Sequence, residues 1–237
     1  MKRSEINEIL RESIEFCKEM NFNLPPWGHW SPEQWAEAGA EYDEIRNNRL
    51  GWDITDYGDR DPMDTSVPKA FGDLGLVLFT IRNGNPDPGA GYTKSYCEKL
   101  LLVGENQQTP YHYHANKMED IICRAGGNLL CVVYSRADDD TLDTEMPVRV
   151  SVDGRNYEVA AGSTVRLTPG ESIALPSFQY HEFHAEEGTG MSLVGEVSRV
   201  NDDAHDNFFL GDVGRFPEIE EDEPPLRYLC TEYPKTT

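Results

Sequence analysis

At 237 residues the chain is long enough to bury the core of one domain with extensions, and nothing in its length demands a second. Its 43 acidic and 21 basic side chains give a formal charge of −22, which repels polyanions over a Debye length of about 8 Å. That excludes nucleic acid as a partner and disfavours phosphorylated substrates, while a hydrophobic content of 38% suffices for a packed fold.

The N-terminus, MKRSEINEIL, has no continuous apolar stretch of the secretory kind, and no run of about 18 apolar residues able to cross a bilayer follows it. Cys17, Cys97, Cys123, Cys131 and Cys230 are odd in number and lack short paired spacings, as expected of a cytoplasmic chain with reduced thiols and no membrane partner. Ser4 is placed to cap a helix in which Ile6, Ile9, Leu10, Ile14 and Cys17 recur at spacings of three and four. A second helix is predicted at Ser31, Pro32 and Gln34, which supply an N-cap, a proline at the first helical position and a capping-box glutamine before Trp35. Residues 1–73 are thus expected to form a helical extension packed on the domain at 74–237.

From Leu74 the texture changes to short β-type runs. Strands are predicted at Leu74–Arg82, Tyr96–Val103, Thr109–His114, Asp120–Cys123 and Asn128–Ser135, then at Val148–Val152, Thr164–Leu167, Ser172–Leu175, Tyr180–His184 and Met191–Ser198. Asn83-Gly84-Asn85-Pro86, Gly126-Gly127, Asp153-Gly154 and Pro169-Gly170 supply turns between them. Many short strands at this spacing predict an antiparallel sandwich or barrel. The acidic run Glu218–Glu223 reads as a solvated surface stretch, flanked by Phe208, Phe209, Phe216, Leu226, Tyr228 and Leu229, which predict that the tail packs back on the barrel.

His112 and His114 fall in a predicted strand, where residues two apart project to the same side about 7 Å from one another. After four intervening residues, Glu119 opens the next strand and can return its carboxylate to the same point. A fourth ligand must come from elsewhere, and His181, five residues after the strand-ending Pro176, is preferred to His184. His29 and His205 have no such companions and read as structural or surface residues. Three imidazoles and one carboxylate suit a divalent ion: manganese, iron, cobalt, nickel or zinc.

These residues carry a resemblance. Gly104, His112-x-His114, Glu119 and Gly126 are similar to the first cupin motif, and Gly170, Pro176-x-Phe178 and His181 to the second. Two departures are seven residues rather than five between Gly104 and His112, and Phe178 in place of a glycine. The segments YHYHANKMEDIICRAGG, GEVSRVNDDAHDNFF and GRFPEIEEDEPPLRYL further resemble the cupin-type D-lyxose isomerases over most of the chain, from Met1 to Tyr233. The resemblance implies an all-β cupin (jelly-roll) barrel with an N-terminal helical extension. It also implies a metal-dependent, manganese-type aldose–ketose isomerase acting on neutral monosaccharides of the lyxose/xylulose and mannose/fructose kind, and cupins are often homodimers. An iron-dependent cupin dioxygenase and a non-catalytic sugar-binding cupin share the same ligand set and stand as alternatives.

An aldose–ketose interconversion needs a group that carries a proton between C1 and C2. Glu196 is the candidate, because Val194, Glu196 and Ser198 share a strand face opposite Leu193 and Val197. Lys117, tethered between His114 and Glu119, could stabilise an enediolate oxygen or bind a hydroxyl. Asp206 and Arg227, in the isomerase-like segments, are candidate sugar ligands. Glu182 and Tyr113 alternate away from the ion.

Overall fold

The computed structural model describes every residue but 59, 62, 63, 204 and 237, with the backbone alone for 60–61 and 64–68. Its strands form two main antiparallel sheets. The larger runs, in spatial order, Gly51–Asp56, Gly75–Asn83, Tyr96–Val103, Ser192–Arg199, Glu119–Gly126, Ser172–Leu175, Val148–Val152 and Arg155–Val159. The smaller runs Ser163–Leu167, Leu129–Arg136, Gln179–Ala185, Thr109–Tyr113 and Phe208–Phe209, with Leu142–Asp143 paired to the end of Leu129–Arg136. Arg60–Asp61 and Asp64–Pro68 pair separately. The chain crosses repeatedly between the two sheets, as in the cupin barrel that the motifs imply.

The inner faces of both sheets fill the barrel with side chains such as Leu78, Leu101, Ile121, Cys131, Val150 and Phe183. The larger sheet is buried on its outer face as well, where Val77, Phe79, Leu100, Leu102 and Leu193 lie under Ile6, Leu10 and Cys17. Burial on both faces explains why Gly75–Ile81 and Leu100–Val103 are near-continuous apolar runs rather than alternating ones. Complete burial of Ile6 and of Leu10 contributes about 1.5–3 kcal/mol each.

The covering helix is Arg3–Glu19, one residue ahead of the predicted Ser4 cap. Its N-cap is Lys2, whose amide donates to Glu5 Oε2 at 2.6 Å. Ser4 lies in the first turn instead and gives its amide and hydroxyl to the Asp222 carboxylate. The acidic run of the tail is therefore a clasp and not simply a solvated stretch. Arg3, 1% exposed, pairs with Glu221 and Glu232, and Asn7 donates to Glu223. Leu229 is buried as expected of a tail that packs back, whereas Phe208 and Phe216 are exposed. The second helix, Pro32–Glu37, has its capping box, with Ser31 and Gln34 bonding reciprocally.

A strand at Gly51–Asp56 falls inside the segment read as helical and forms an edge of the larger sheet. Trp52 and Ile54 face the helix, while Asp53 and Thr55 point inward and bind Arg215. The inward polar pair breaks the usual alternation of a core strand. No helix among the described residues is long and apolar enough to cross a membrane.

Candidate metal centre

The register of the smaller sheet sets His181 directly opposite His112, with His114 just past the end of the same strand. Glu119 begins the neighbouring strand of the larger sheet, opposite Ser198. The ligating atoms of His112, His114, Glu119 and His181 all lie within 4.8 Å of one another, and all four side chains are buried. His184, one of the two histidines weighed for the fourth position, is on the opposite face and pairs with Glu182 at 3.2 Å.

Each imidazole is aimed by a backbone carbonyl. His112 Nδ1 lies 2.8 Å from Pro110 O, His114 Nδ1 2.7 Å from Asp206 O, and His181 Nδ1 3.1 Å from Gln179 O. A carbonyl can only accept, so each Nδ1 donates and each Nε2 is left as a lone pair facing the centre when the ring is neutral. Burial, reinforced by His181 and His114, pushes His112 well below its ordinary value and keeps it neutral. His114 Nε2 and His181 Nε2 stand 3.4 and 3.1 Å from Glu119 Oε1. Buried His181 Nε2 makes no hydrogen bond of good geometry among the described residues. Burial opposes a charge on Glu119, but Lys117 and His114 outweigh it and hold the carboxyl well below the usual carboxylate range. Two imidazole nitrogens converge on one carboxylate oxygen, an arrangement that suits a cation between them. The donor set fits a divalent metal ion.

The turn between His114 and Glu119 is built around Asp206. Its Oδ1 accepts from the amides of Ala115 and Asn116 at 2.9 Å, and its Oδ2 from the amide of Lys117 at 2.8 Å. With the Asn116 side chain as a further donor, the carboxylate is filled by the turn. At the second motif Phe178 takes up φ +64°, a left-handed backbone for which glycine is favoured, and its amide donates to His114 O at 2.8 Å. Its ring tilts over Tyr113, which stacks on Phe208 on the outer face of the barrel.

Lys117 points inward from this turn, 2.8 Å from Glu119 Oε2 and 2.9 Å from Glu196 Oε1. Glu196 faces the cavity as strand parity requires, with Lys99 Nζ 3.5 Å from its other oxygen and Ser198 Oγ 3.1 Å from the first. Burial disfavours the charge on Lys117, yet Glu119 and Glu196 raise its pKa above the ordinary lysine value. Lys99 is raised in the same way against its burial, by Asp203 and Glu196. Asp203 in turn is held far down, its burial overcome by Lys99 and Arg215. Alternating charges thus run Glu119, Lys117, Glu196, Lys99, Asp203, Arg215 and Asp53.

Together with His112, His114 and Glu119, the side chains of Lys117, Glu196, Lys99, Asp203 and Arg215 line a small cavity. Lys117 and Glu196 line it; Asp206 and Arg227 do not. Arg227 lies in the tail, donating to Leu226 O. Lys99, Asp203 and Arg215 were missed in the sequence. The signal for Lys99 was parity, since it shares an inward face with Leu101 and Val103.

A sequence profile of D-lyxose isomerase matches residues 1–233 of the chain. The chain belongs to the D-lyxose isomerase family. It is 46% identical over 234 residues to a D-lyxose/D-mannose isomerase of Serratia proteamaculans and 44% identical to one of Escherichia coli O157:H7, covering 98% of each partner in both comparisons. Membership makes this D-lyxose isomerase relative a sugar isomerase, which sets aside the dioxygenase and the non-catalytic binder. Among solved structures, L-ribose isomerases share the fold: that of Cellulomonas parahominis, without ligand, gives a TM-score of 0.58 at 18% identity, covering 93% of this chain and 98% of that one. The L-ribose isomerase of Geodermatophilus obscurus gives 0.56 at 17% identity with the same coverage.

Proposed function

We propose that this enzyme interconverts D-lyxose with D-xylulose, and D-mannose with D-fructose, by moving a proton between C1 and C2 of the open-chain sugar beside the His112, His114, Glu119 and His181 centre. The observation that carries the reading is the close approach of two imidazole nitrogens to one oxygen of Glu119, beside a cavity lined by a second acidic side chain, Glu196. The relatives' names supply the substrates.

A bound divalent ion, with manganese expected, supplies a Lewis acid that polarises the carbonyl and eases loss of the neighbouring proton. Glu196 takes that proton at one carbon and returns it at the other. Lys117 fixes the distance between Glu119 and Glu196 by bridging both, and is positioned to donate to a sugar oxygen. Asp206 serves as a positioning residue, holding the turn that carries Lys117 and receiving the His114 ring. Both buried ammonium groups are already matched by carboxylates, so the cavity has no spare lysine charge for a phosphate, and the neutral sugar is favoured.

The test is turnover in deuterium oxide by chelated and manganese-reloaded protein. Ketose should form from lyxose and from mannose only after reloading, with solvent deuterium entering at C1 of the ketose. Absence of ketose from either aldose would overturn the reaction, and ketose free of solvent deuterium would replace the proton route with a hydride shift.

A further inference from the structure

The metal cavity is continuous in its lining with a second chamber. The two share Asp203 and Arg215, and the second is the roomier of the two. Its walls include Asn48, Asn83, Asn201, Asn85 and Thr80, of which all but Asn85 are buried. The asparagines are tied to one another: Asn85 Nδ2 donates to Asn48 Oδ1 at 2.8 Å, Asn48 Nδ2 to Asn83 O at 3.1 Å, and Asn83 Nδ2 to Asn201 O at 3.1 Å. Such a wall is rigid and uncharged, and it suits hydroxyl groups. Asn201 Oδ1 accepts from Lys99 Nζ at 2.7 Å, which ties this wall to the polar side of the metal cavity.

D-lyxose and D-mannose have the same configuration at C2, C3 and C4 and differ by one carbon at the end remote from the carbonyl. A site that grips the C1 and C2 end at the metal must therefore tolerate two lengths at the far end. Away from the ion, the metal cavity is closed on the barrel side by Leu76, Leu78, Leu101, Ile121 and Phe183. On the side of Asp203 and Arg215 it adjoins further space. Arg215 is fastened there by Asp53 Oδ2 at 2.6 Å and reaches Asp203 Oδ2 at 3.2 Å, so the pair presents a fixed donor and a fixed acceptor at the boundary.

We propose that the Asp203–Arg215 pair binds the distal hydroxyls of the sugar, and that the chamber behind it receives the additional hydroxymethyl end of a hexose. This rests on the lyxose and mannose reading given above. Pentose and hexose then share one pose at the ion, and the second chamber sets the upper limit of substrate length.

Thr80 tests this without touching the centre. It is buried, lies opposite Lys99 in the sheet and faces the second chamber, not the first. Thr80→Ile keeps a β-branched strand residue and adds bulk to the chamber, whereas Thr80→Val keeps the volume and removes only the hydroxyl. The ratio of kcat/KM for lyxose over mannose should rise by about tenfold or more in Thr80→Ile and stay within about twofold in Thr80→Val. An equal fall for both sugars in Thr80→Ile, or an unchanged ratio, would overturn the proposal. Calorimetry with the pentitol and hexitol made by reducing lyxose and mannose reads the chamber separately from the reaction. Hexitol binding to manganese-loaded Thr80→Ile should weaken by about tenfold more than pentitol binding. Equal weakening would sink the chamber assignment even if isomerisation is established, whereas a selective loss would sustain it even if isomerisation fails.

Discussion

Three carbonyls, Pro110 O, Gln179 O and Asp206 O, determine which nitrogen of each histidine faces the centre, so the ligand set is preorganised by backbone and not by the side chains alone. Glu196 stands next to this set between the ammonium groups of Lys99 and Lys117. Replacing it by glutamine preserves shape and removes the proton acceptor. For Glu196→Gln, kcat should fall by about a hundredfold or more, with KM and metal content little changed. Near wild-type turnover in the metal-loaded variant would move the proton to another group. Strand parity pointed to His112, His114 and Glu196, and motif spacing to Glu119 and His181; the four candidate ligands lie together in the structure. Parity could not show Asp203 and Arg215, which come from irregular chain and meet Lys99 and Asp53 only through the fold. Asp206, expected to contact sugar, has its carboxylate engaged by the amides of the turn, which only the three-dimensional arrangement shows.

At the scale of elements, Tyr96–Val103, Val148–Val152 and Ser172–Leu175 match the predicted strands end for end, because each is bounded by turn chemistry and has a buried face. Gly51–Asp56 escaped because its inward residues, Asp53 and Thr55, are polar for the sake of Arg215. Arg155–Val159 escaped because it is a sheet edge with little buried surface and so lacks an apolar face. The first helix is held from both sides, by its apolar stripe on the larger sheet and by the acidic tail across its N-terminus. Arg3 joins the two ends of the chain through Glu221 and Glu232. Arg3→Ala should lower unfolding free energy by about 1.5–3 kcal/mol, since the carboxylates it leaves behind are partly exposed and can hydrate. The denaturation midpoint should fall with its slope unchanged, and an unaltered midpoint would show the clasp to be energetically idle.

Over the whole molecule, an excess of acidic groups giving −22 surrounds a cavity in which opposite charges alternate in close contact. The general field turns anions away, while the local balance lets an uncharged polyol approach buried ions without meeting an unpaired lysine. The two-sheet barrel makes this possible by bringing His112, His114 and His181 from one sheet to Glu119, Lys99 and Glu196 from the other. Sheet membership was not written in any one segment, but the spacing of the motifs implied it through the barrel they resemble. The proposed chemistry depends on an ion held by His112, His114, Glu119 and His181. Its most direct test is the manganese content per chain of wild-type protein and of the alanine variants at His112, His114, Glu119 and His181, measured after chelation and reloading. One ion per chain in the wild type and its loss in each variant is the expected result; full occupancy in any variant, or a wild type that takes up no ion, would contradict it.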